Sequence, residues 1–401
     1  MKKKIFTIFI LIAIAANAQK TVSLSVFDTN YYHKYKGQNL SVNVYNWGEY
    51  ISDGSDGSLD VNKLFEELTG VKVNYSTFAS NEEMYVKLKV GGIQYDVIIP
   101  SDYMIERLIR ENLVRKLNYN NIPAHTNIAN RFKNLPFDPT GEYSLAYTWG
   151  VTGIIYNKTL VEESPENIDW KILFDKKYKG QILMYYNPRD AFGIAQAYLG
   201  YSLNTTNESE LRECAKLLKS QKPLVQSYVM DEMYDKMEAG EAAIGVYYAG
   251  DSLTMIDNNP DLNFVIPKKG ANLFVDSICI PASSGSPELG EMYINFLSEP
   301  EIALANIEFI NYASPNDGAI AIMSTETRNN KIIYPDKETL DNCEVYITLP
   351  DETNILMEDL WNEILSNDTT YKGWVIPVAL GVIVLLCVVI IVLKKMKRRE
   401  N

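Results

Sequence analysis

Strand and helix patterns alternate along the first part of this chain, and this alternation limits what it can fold into. Residues 40–50, LSVNVYNWGEY, alternate apolar and polar side chains as a half-buried strand does. Strand patterns recur at 71–76 and 96–99, and helical patterns at 59–69, 80–90 and 103–111 lie between and after them. This β-α-β-α-β-α order predicts a parallel or mixed, doubly wound sheet of the α/β class.

The chain has 401 residues, which is too long for one compact core and suggests two lobes. Residues 147–156, YTWGVTGIIY, are rich in strand formers but contain two glycines, which favours a strand that passes from one lobe to the other. Residues 273–281, LFVDSICIP, are a second candidate crossing. We therefore predict two discontinuous lobes, lobe 1 over 39–150 and 276–320 and lobe 2 over 151–275 and 321–367.

The N-terminus has the pattern of a secretory signal peptide. Residues 2–4 are basic, 5–14 are apolar except for Thr7, and 16–18 supply the small residues of a cleavage site. The apolar run is too short to span a bilayer, although an uncleaved anchor remains an alternative. We predict a signal peptide over 1–18, followed by a polar linker or loosely packed leader over 19–38.

The C-terminal end carries a different signal. Residues 374–393 are twenty residues without charge, which is long enough to cross a bilayer as a helix. The basic tail over 394–401 follows at once and, by the positive-inside rule, places the C-terminus in the cytoplasm. We therefore predict a single-pass protein of the cell membrane whose main part is extracytoplasmic.

The part between these ends is strongly acidic. When the eight basic residues and one acid of the ends are removed from the totals of 38 and 51, 30 basic and 50 acidic residues remain, a net charge of −20. Such a field disfavours nucleic acid and anionic ligands and favours cations. We therefore predict no nucleic-acid partner.

Signals for catalysis, metals or disulfides are weak. The chain has two histidines, and its cysteines outside the C-terminal apolar run, Cys214, Cys279 and Cys343, lack the close spacing of a metal site or disulfide framework. Neither a serine-hydrolase elbow, a zinc-protease helix nor a phosphate- or dinucleotide-binding loop is present. These observations predict a binding protein and not an enzyme, with no metal or cofactor.

Acidic and aromatic residues at the predicted strand ends favour a site for an alkyl ammonium compound. Such a ligand needs carboxylates at its charged ends and rings along its methylenes, with each cation-π contact worth roughly 0.5–2 kcal/mol. The candidate acids are Asp190, Asp251 and Asp276. The candidate rings are Trp47, Tyr50, Tyr103, Tyr248, Phe274 and Tyr312.

Each candidate also has a purely structural alternative. Trp47 could cover the edge of a core. Asp190 and Asp251 stand at predicted helix starts, where an N-cap aspartate is common. Asp276 is harder to explain in this way, because a charge inside the apolar run 273–281 must find a partner or a solvated cleft.

Six motifs in order along the chain resemble one known family. They are YNWGEY at Tyr45, STFASNEEMYVKL at Ser76, YDVIIPSDY at Tyr95, GYSLNTT at Gly200, VDSICIP at Val275 and YPDKET at Tyr334. From about residue 40 to 365 the chain resembles the polyamine (spermidine/putrescine) binding proteins of ABC transporters. This resemblance implies a two-lobed periplasmic-binding-protein fold of type II.

The resemblance also implies roles for individual residues. Asp276 matches the carboxylate that holds an amine, Ser101 lies beside the aromatic cage, and Asp190 falls where the family has a glutamate that binds a terminal amine. The rings that match the family's cage are Trp47, Tyr50, Tyr103 and Tyr312.

Several positions depart from the spermidine binders of this family. Tyr248 and Phe274 fall where those proteins typically carry tryptophans, Asn187 where they carry an aspartate, and Tyr346 where they carry a glutamine. Asp251 follows Ala-Gly as in the putrescine-preferring relatives. The choice between a diamine and a triamine is therefore open at this stage.

Taken with the acidic field, the resemblance predicts an extracytoplasmic protein that captures a linear polyamine, putrescine, spermidine or both, between two lobes and delivers it to ABC permease subunits. Two alternatives remain, a binding protein for another organic cation or small solute, and a membrane-anchored ligand sensor. The short cytoplasmic tail is too small for an output domain, which disfavours the sensor.

Overall fold

The computed structural model describes residues 21–92 and 94–366. The predicted signal peptide (1–18), transmembrane helix (374–393) and cytoplasmic tail (394–401) lie outside the described residues. Within the described ranges, no helix combines the length and apolar character needed to cross a membrane.

The strands of the described chain form one mixed sheet. They are β1 Ser41–Trp47, β2 Lys72–Phe78, β3 Val97–Ile98, β4 Val114–Arg115, β5 Ser144–Asn157, β6 Ile182–Tyr185, β7 Val225–Val229, β8 Ile244–Tyr248, β9 Leu262–Val265 and β10 Leu273–Pro281. Their order is β2-β1-β3-β10-β5-β8-β6-β7, with β4 beside β10 and β9 beside β5. The β1 pairs with β2 and β3 and the β6 pairs with β7 and β8 are parallel, whereas β5 and β10 pair antiparallel. The prediction of a parallel or mixed sheet is confirmed.

Helices connect these strands. They are α1 Thr29–Tyr32, α2 Val61–Thr69, α3 Asn81–Val90, α4 Asp102–Arg110, α5 Pro188–Leu199, α6 Glu208–Gln221, α7 Glu232–Glu238, α8 Ala249–Asn258, α9 Pro287–Leu297, α10 Pro300–Ile310, α11 Asp317–Ile322, α12 Thr325–Asn329, α13 Lys337–Asp341 and α14 Asp351–Ser366. The start of α3 shows why the local sequence sets these bounds. Ser80 Oγ accepts a hydrogen bond from the Glu83 backbone N at 3.1 Å, and Glu83 Oε2 accepts one from the Ala79 backbone N at 3.0 Å.

Two separate hydrophobic cores divide the molecule. The first gathers buried residues from 27–149 and 274–333, and the second gathers buried residues from 151–271 and 346–364. The chain therefore forms two α/β lobes, each discontinuous in sequence. The residue-level boundaries given above stay a prediction, and Ile333 packs in the first core although the predicted lobe 2 includes it.

Strands β5 and β10 join the two lobes. Along β5, Leu145 and Trp149 belong to the first core and Val151 and Ile155 to the second. β10 pairs antiparallel with β5, and the register shifts immediately after Asp276. The two predicted crossings therefore form one paired ribbon, and the irregularity in that ribbon falls at a candidate site residue.

The segment before β1 packs more tightly than its sequence suggests. Phe27 and Tyr32 are buried, and their rings lie 5.6 and 6.1 Å from the ring of Phe296 in α9. Tyr32 also donates a hydrogen bond to Glu299 Oε1 at 2.9 Å. Phe27 and Tyr32 thus anchor this segment in the core of lobe 1, while most of its other described residues are exposed. The linker over 19–38 stays a prediction.

Candidate functional site

A cavity of about 90 Å³ is lined by residues of both lobes. All ten residues proposed from the sequence line it: Trp47, Tyr50, Ser101, Tyr103, Asp190, Tyr248, Asp251, Phe274, Asp276 and Tyr312. These residues come from segments far apart in the chain, so the fold brings the whole predicted set together.

The ends of parallel strands place most of these side chains. Trp47 is the last residue of β1, and Ser101 follows β3 at the start of α4. In lobe 2, Tyr248 ends β8, while Asp190 lies in the first turn of α5, which follows β6. The carboxyl ends of parallel strands meet at one edge of a sheet, which is where open α/β proteins bind ligands.

Asp276 has one carboxylate oxygen with a partner and one without. Its Oδ2 accepts a hydrogen bond from the Tyr50 hydroxyl at 2.5 Å, and that hydroxyl also lies 2.5 Å from Thr148 Oγ1. Oδ1 is buried and has no hydrogen-bond partner, and the residue is only 4 % exposed. Burial raises the pKa of Asp276 to about 6, against the lowering effect of the Tyr50 hydrogen bond. An unpaired buried carboxylate oxygen is costly, so this position suits a charged N–H donor.

Asp190 is held by two neighbours. Its Oδ2 accepts hydrogen bonds from the Tyr248 hydroxyl at 2.8 Å and from Asn187 Nδ2 at 3.0 Å. Asn187, not Asp190, is the N-cap of α5, so the N-cap explanation for Asp190 is wrong. Burial raises the pKa of Asp190 to about 6, and the Tyr248 hydrogen bond opposes that rise.

Asp251 lies between two tyrosines. Its Oδ1 accepts a hydrogen bond from the Tyr234 hydroxyl at 2.7 Å, and its Oδ2 accepts one from the Tyr312 hydroxyl at 2.8 Å. The N-cap position of α8 is occupied by Tyr248, so the N-cap explanation is wrong for Asp251 as well. Burial raises the pKa of Asp251 to about 7, with both tyrosine hydrogen bonds acting in the opposite direction.

Three further acids line the cavity, Glu49, Asp102 and Asp231, and the sequence did not single them out as ligands. Asp102 is fully buried and accepts hydrogen bonds from the backbone N of Tyr103 at 2.7 Å and of Val275 at 3.3 Å. Burial raises its pKa well above the usual range. Its place just after a strand end was a signal that could have identified it.

The cavity is therefore acidic throughout. Six carboxylates line it, and no lysine, arginine or histidine of the described chain does. Within residues 21–92 and 94–366, no three acids, cysteines or histidines are grouped closely enough to hold a metal ion. The carboxylates are thus spread along the cavity. This spacing suits an elongated ligand that carries a positive charge at each end.

Aromatic rings connect these acids. Ring centroids lie 5.1 Å apart for Tyr50 and Tyr312, 6.0 Å for Tyr312 and Phe274, and 5.4 Å for Phe274 and Tyr248, all edge to face. This row joins the Asp276 side of the cavity to the Asp190 side. Trp47 stands apart from the row, and its ring packs 4.6 Å from Phe78.

The two α/β lobes and the cleft between them define a solute-binding protein. A family model described as bacterial extracellular solute-binding protein matches residues 94–342. The chain belongs to this family.

Individual relatives are more specific in what they bind. The chain is 34 % identical over 308 residues to the spermidine/putrescine-binding periplasmic protein of Escherichia coli, which covers 76 % of this chain and 86 % of that protein. A putative spermidine/putrescine ABC transporter protein from Listeria monocytogenes has a TM-score of 0.76 and 36 % identity, covering 81 % of this chain and 99 % of that one. The spermidine/putrescine ABC transporter substrate-binding protein of Streptococcus pneumoniae has a TM-score of 0.70 and 36 % identity, covering 82 % and 99 %.

These similarities confirm three expectations from the sequence. The fold is that of the type II periplasmic binding proteins, and the chain is a solute-binding protein and not an enzyme. The family is extracellular by its description, which agrees with the expected extracytoplasmic location of the lobes.

Proposed function

We propose that this protein captures a linear polyamine, putrescine or spermidine, between its lobes and delivers it to the permease subunits of an ABC transporter. The relatives named above support this proposal, because their names join polyamine binding to ABC transport. Closure on the ligand would draw on contacts from both lobes at once, since only interactions that favour the closed state can shift that equilibrium.

The cavity's charge is the observation that carries the proposal. Six acids and no basic side chain line the cavity, and the unpaired Asp276 Oδ1 marks one point where an ammonium fits. The Arg189 guanidinium lies behind the Tyr346 ring and opposes the rise in the pKa of Asp190, but it does not line the cavity. In this proposal Asp276 anchors one amine, Asp190 and Asp251 receive the far end, and the aromatic row covers the methylenes between them. Ser101, Tyr103 and Trp47 complete the lobe 1 wall.

We also propose that the lobes are tethered at the outer face of the cell membrane. The sequence supports this with the signal peptide over 1–18, the uncharged run over 374–393 and the basic tail over 394–401. In that arrangement α14 ends at Ser366, so a short segment would separate lobe 2 from the bilayer.

A ligand panel tests the proposal. We expect thermal unfolding and calorimetry of the purified protein in a non-ionic detergent to show binding of putrescine, cadaverine, spermidine or spermine. A ligand at about 100 times its Kd should add ~2.7 kcal/mol to the free energy of unfolding.

Matched controls make the outcome specific. Glutamate and a neutral amino acid of similar size should give no shift, because the cavity repels anions and offers no cationic partner. A shift with a different organic cation and with none of the four polyamines would replace the polyamine assignment. No shift with any cation would remove the cavity from the proposal altogether.

A further inference from the structure

A pocket of about 220 Å³ lies in lobe 1, and it shares no lining residue with the cavity between the lobes. Leu145 and Ala146 of β5 and Ser277 of β10 line one part of it, and the other lining residues come from 119–144. Ser277 follows Asp276 at the register shift of the ribbon, and successive strand residues point to opposite faces of a sheet. The pocket therefore lies on the face of β10 opposite to the cleft.

The loop over 133–143, which forms one wall of this pocket, is held by internal hydrogen bonds. Asp138 is 2 % exposed, and its Oδ2 accepts hydrogen bonds from the backbone N and the Oγ of Ser144 at 2.9 and 3.0 Å. The Tyr119 hydroxyl donates a hydrogen bond to the Gly141 backbone O at 2.6 Å. The acid of the pocket is thus already bound by donors of the protein itself.

Two hydrogen-bond donors of the pocket lack a partner. Ser277 is 1 % exposed, and its Oγ is buried without a hydrogen bond. The Lys133 ammonium also lines the pocket, and within residues 21–92 and 94–366 it forms no ion pair. A buried hydroxyl without a partner is costly, and an ammonium pairs best with an anionic oxygen. These two groups therefore suit one anionic group of a ligand.

The remaining lining provides apolar surface. Phe132 and Leu135 line the pocket, and the Tyr119 ring lies 4.8 Å from the His125 ring beside them. A water-sized sphere needs roughly 10–15 Å³, so a pocket of about 220 Å³ has room for about fifteen such spheres or more. A ligand of about ten non-hydrogen atoms with an apolar body fits this space.

We propose that this pocket binds a small monocarboxylate with an apolar body. The carboxylate accepts hydrogen bonds from the Lys133 ammonium and the Ser277 hydroxyl, and the apolar body packs against Phe132 and Leu135. The inference goes beyond the proposed function, because it assigns a different class of ligand to a separate site. It does not depend on polyamine binding.

Phenylacetate, which has ten non-hydrogen atoms, is a suitable probe. We expect saturable binding to the full-length protein in detergent, followed by ligand-observed NMR at about 0.15 M salt, where charges more than ~8 Å apart are largely screened. Lys133→Gln and Ser277→Ala should each raise the Kd at least about fivefold, because each removes a donor to the carboxylate. Phenylacetamide, a neutral amide of the same shape, should bind at least about fivefold more weakly than phenylacetate for the same reason.

Lys72→Gln is the matched control, because Lys72 is an exposed lysine on β2 of lobe 1 and does not line the pocket. It should leave the Kd of phenylacetate unchanged. Should Ser277→Ala fail to fold, Lys133→Gln alone decides, since Lys133 lies in a loop outside the buried core.

Three results would overturn the inference. They are a signal that does not saturate, a Kd that is the same in wild-type protein and in Lys133→Gln, and loss of phenylacetate binding when putrescine is added in excess. The last result would place phenylacetate in the cleft between the lobes.

Discussion

Replacing Asp276, the buried carboxylate in strand β10 where the two lobes join, tests the proposed site most directly. In Asp276→Asn the new amide can donate to the Tyr50 hydroxyl, which can then donate to Thr148 Oγ1, 2.5 Å away. The amide oxygen would occupy the position that Asp276 Oδ1 now has. The substitution should therefore remove the charge and keep the local hydrogen bonds.

The expected loss of affinity is large. Removing one partner of a buried, hydrogen-bonded charge pair costs about 2–5 kcal/mol, and an isosteric amide belongs at the lower end of that range. A loss of about 2–3 kcal/mol corresponds to a roughly 30- to 150-fold rise in Kd. Calorimetry with putrescine at about pH 8 measures it.

The stability of the ligand-free protein should not fall with this substitution, in contrast to its affinity for ligand. Burial raises the pKa of Asp276 from 3.8 to about 6, so the ionised carboxylate opposes folding by about 3 kcal/mol once both folded and unfolded states are ionised. The amide does not carry this penalty, and chemical unfolding without ligand should show equal or greater stability. An affinity within about threefold of wild type, or a large loss of stability without ligand, would refute the assigned role.

Three further predictions concern the buried acids of the site, Gly250 and Tyr32. Burial raises the pKa values of the three buried acids that accept tyrosine hydrogen bonds to about 6 or 7, so the folded protein binds protons that the unfolded chain does not between about pH 4 and 7. The free energy of unfolding without ligand should therefore fall as pH rises through that window. Polyamine affinity measured by calorimetry should rise over the same window, because protons no longer compete with the ammonium groups for the carboxylates. A pH-independent Kd would contradict this. Gly250→Ala should weaken binding at least about fivefold in the same assay, since its Cβ would collide with the Tyr312 ring and displace that ring from Asp251, and wild-type affinity would count against it. Tyr32→Ala should cost about 3–5 kcal/mol in chemical unfolding, as expected for a buried aromatic ring, whereas a loose leader would lose almost nothing.

Much of the site could be predicted because the ends of strands can be recognised in the sequence. Trp47 and Ser101 each mark the point where a short apolar or alternating run stops, and the parallel order of the strands brings such points together. Asp276 was recognisable as a charge inside an apolar run. These signals are local, so no knowledge of distant contacts was needed.

Some features that escaped prediction depend on contacts between distant segments, and others on a local choice of helix cap. Asp102 gains its second partner from Val275, 173 residues further along the chain. The aspartates of α5 and α8 looked like helix caps because spacing alone does not show that Asn187 accepts the cap hydrogen bonds. Tyr32 likewise shows its role only when Phe296 lies beside it. For Asp102 and Tyr32, tertiary packing supplies the partner, whereas the caps of α5 and α8 depend on which of several neighbouring residues takes the N-cap position.

The paired ribbon of β5 and β10 has a consequence for the order of ligand capture. Tyr50 and Asp276 are bonded to each other, and the isolated bridge between Ser101 and Asp276 ties the start of α4 to the same point. If the lobes open by a twist of the β5–β10 ribbon, Tyr50, Ser101 and Asp276 remain in contact with one another, while Asp190 moves with lobe 2. An incoming cation would then bind first to the Asp276 part of the site, which is already assembled. Asp190 would contact the ligand only when lobe 2 closes.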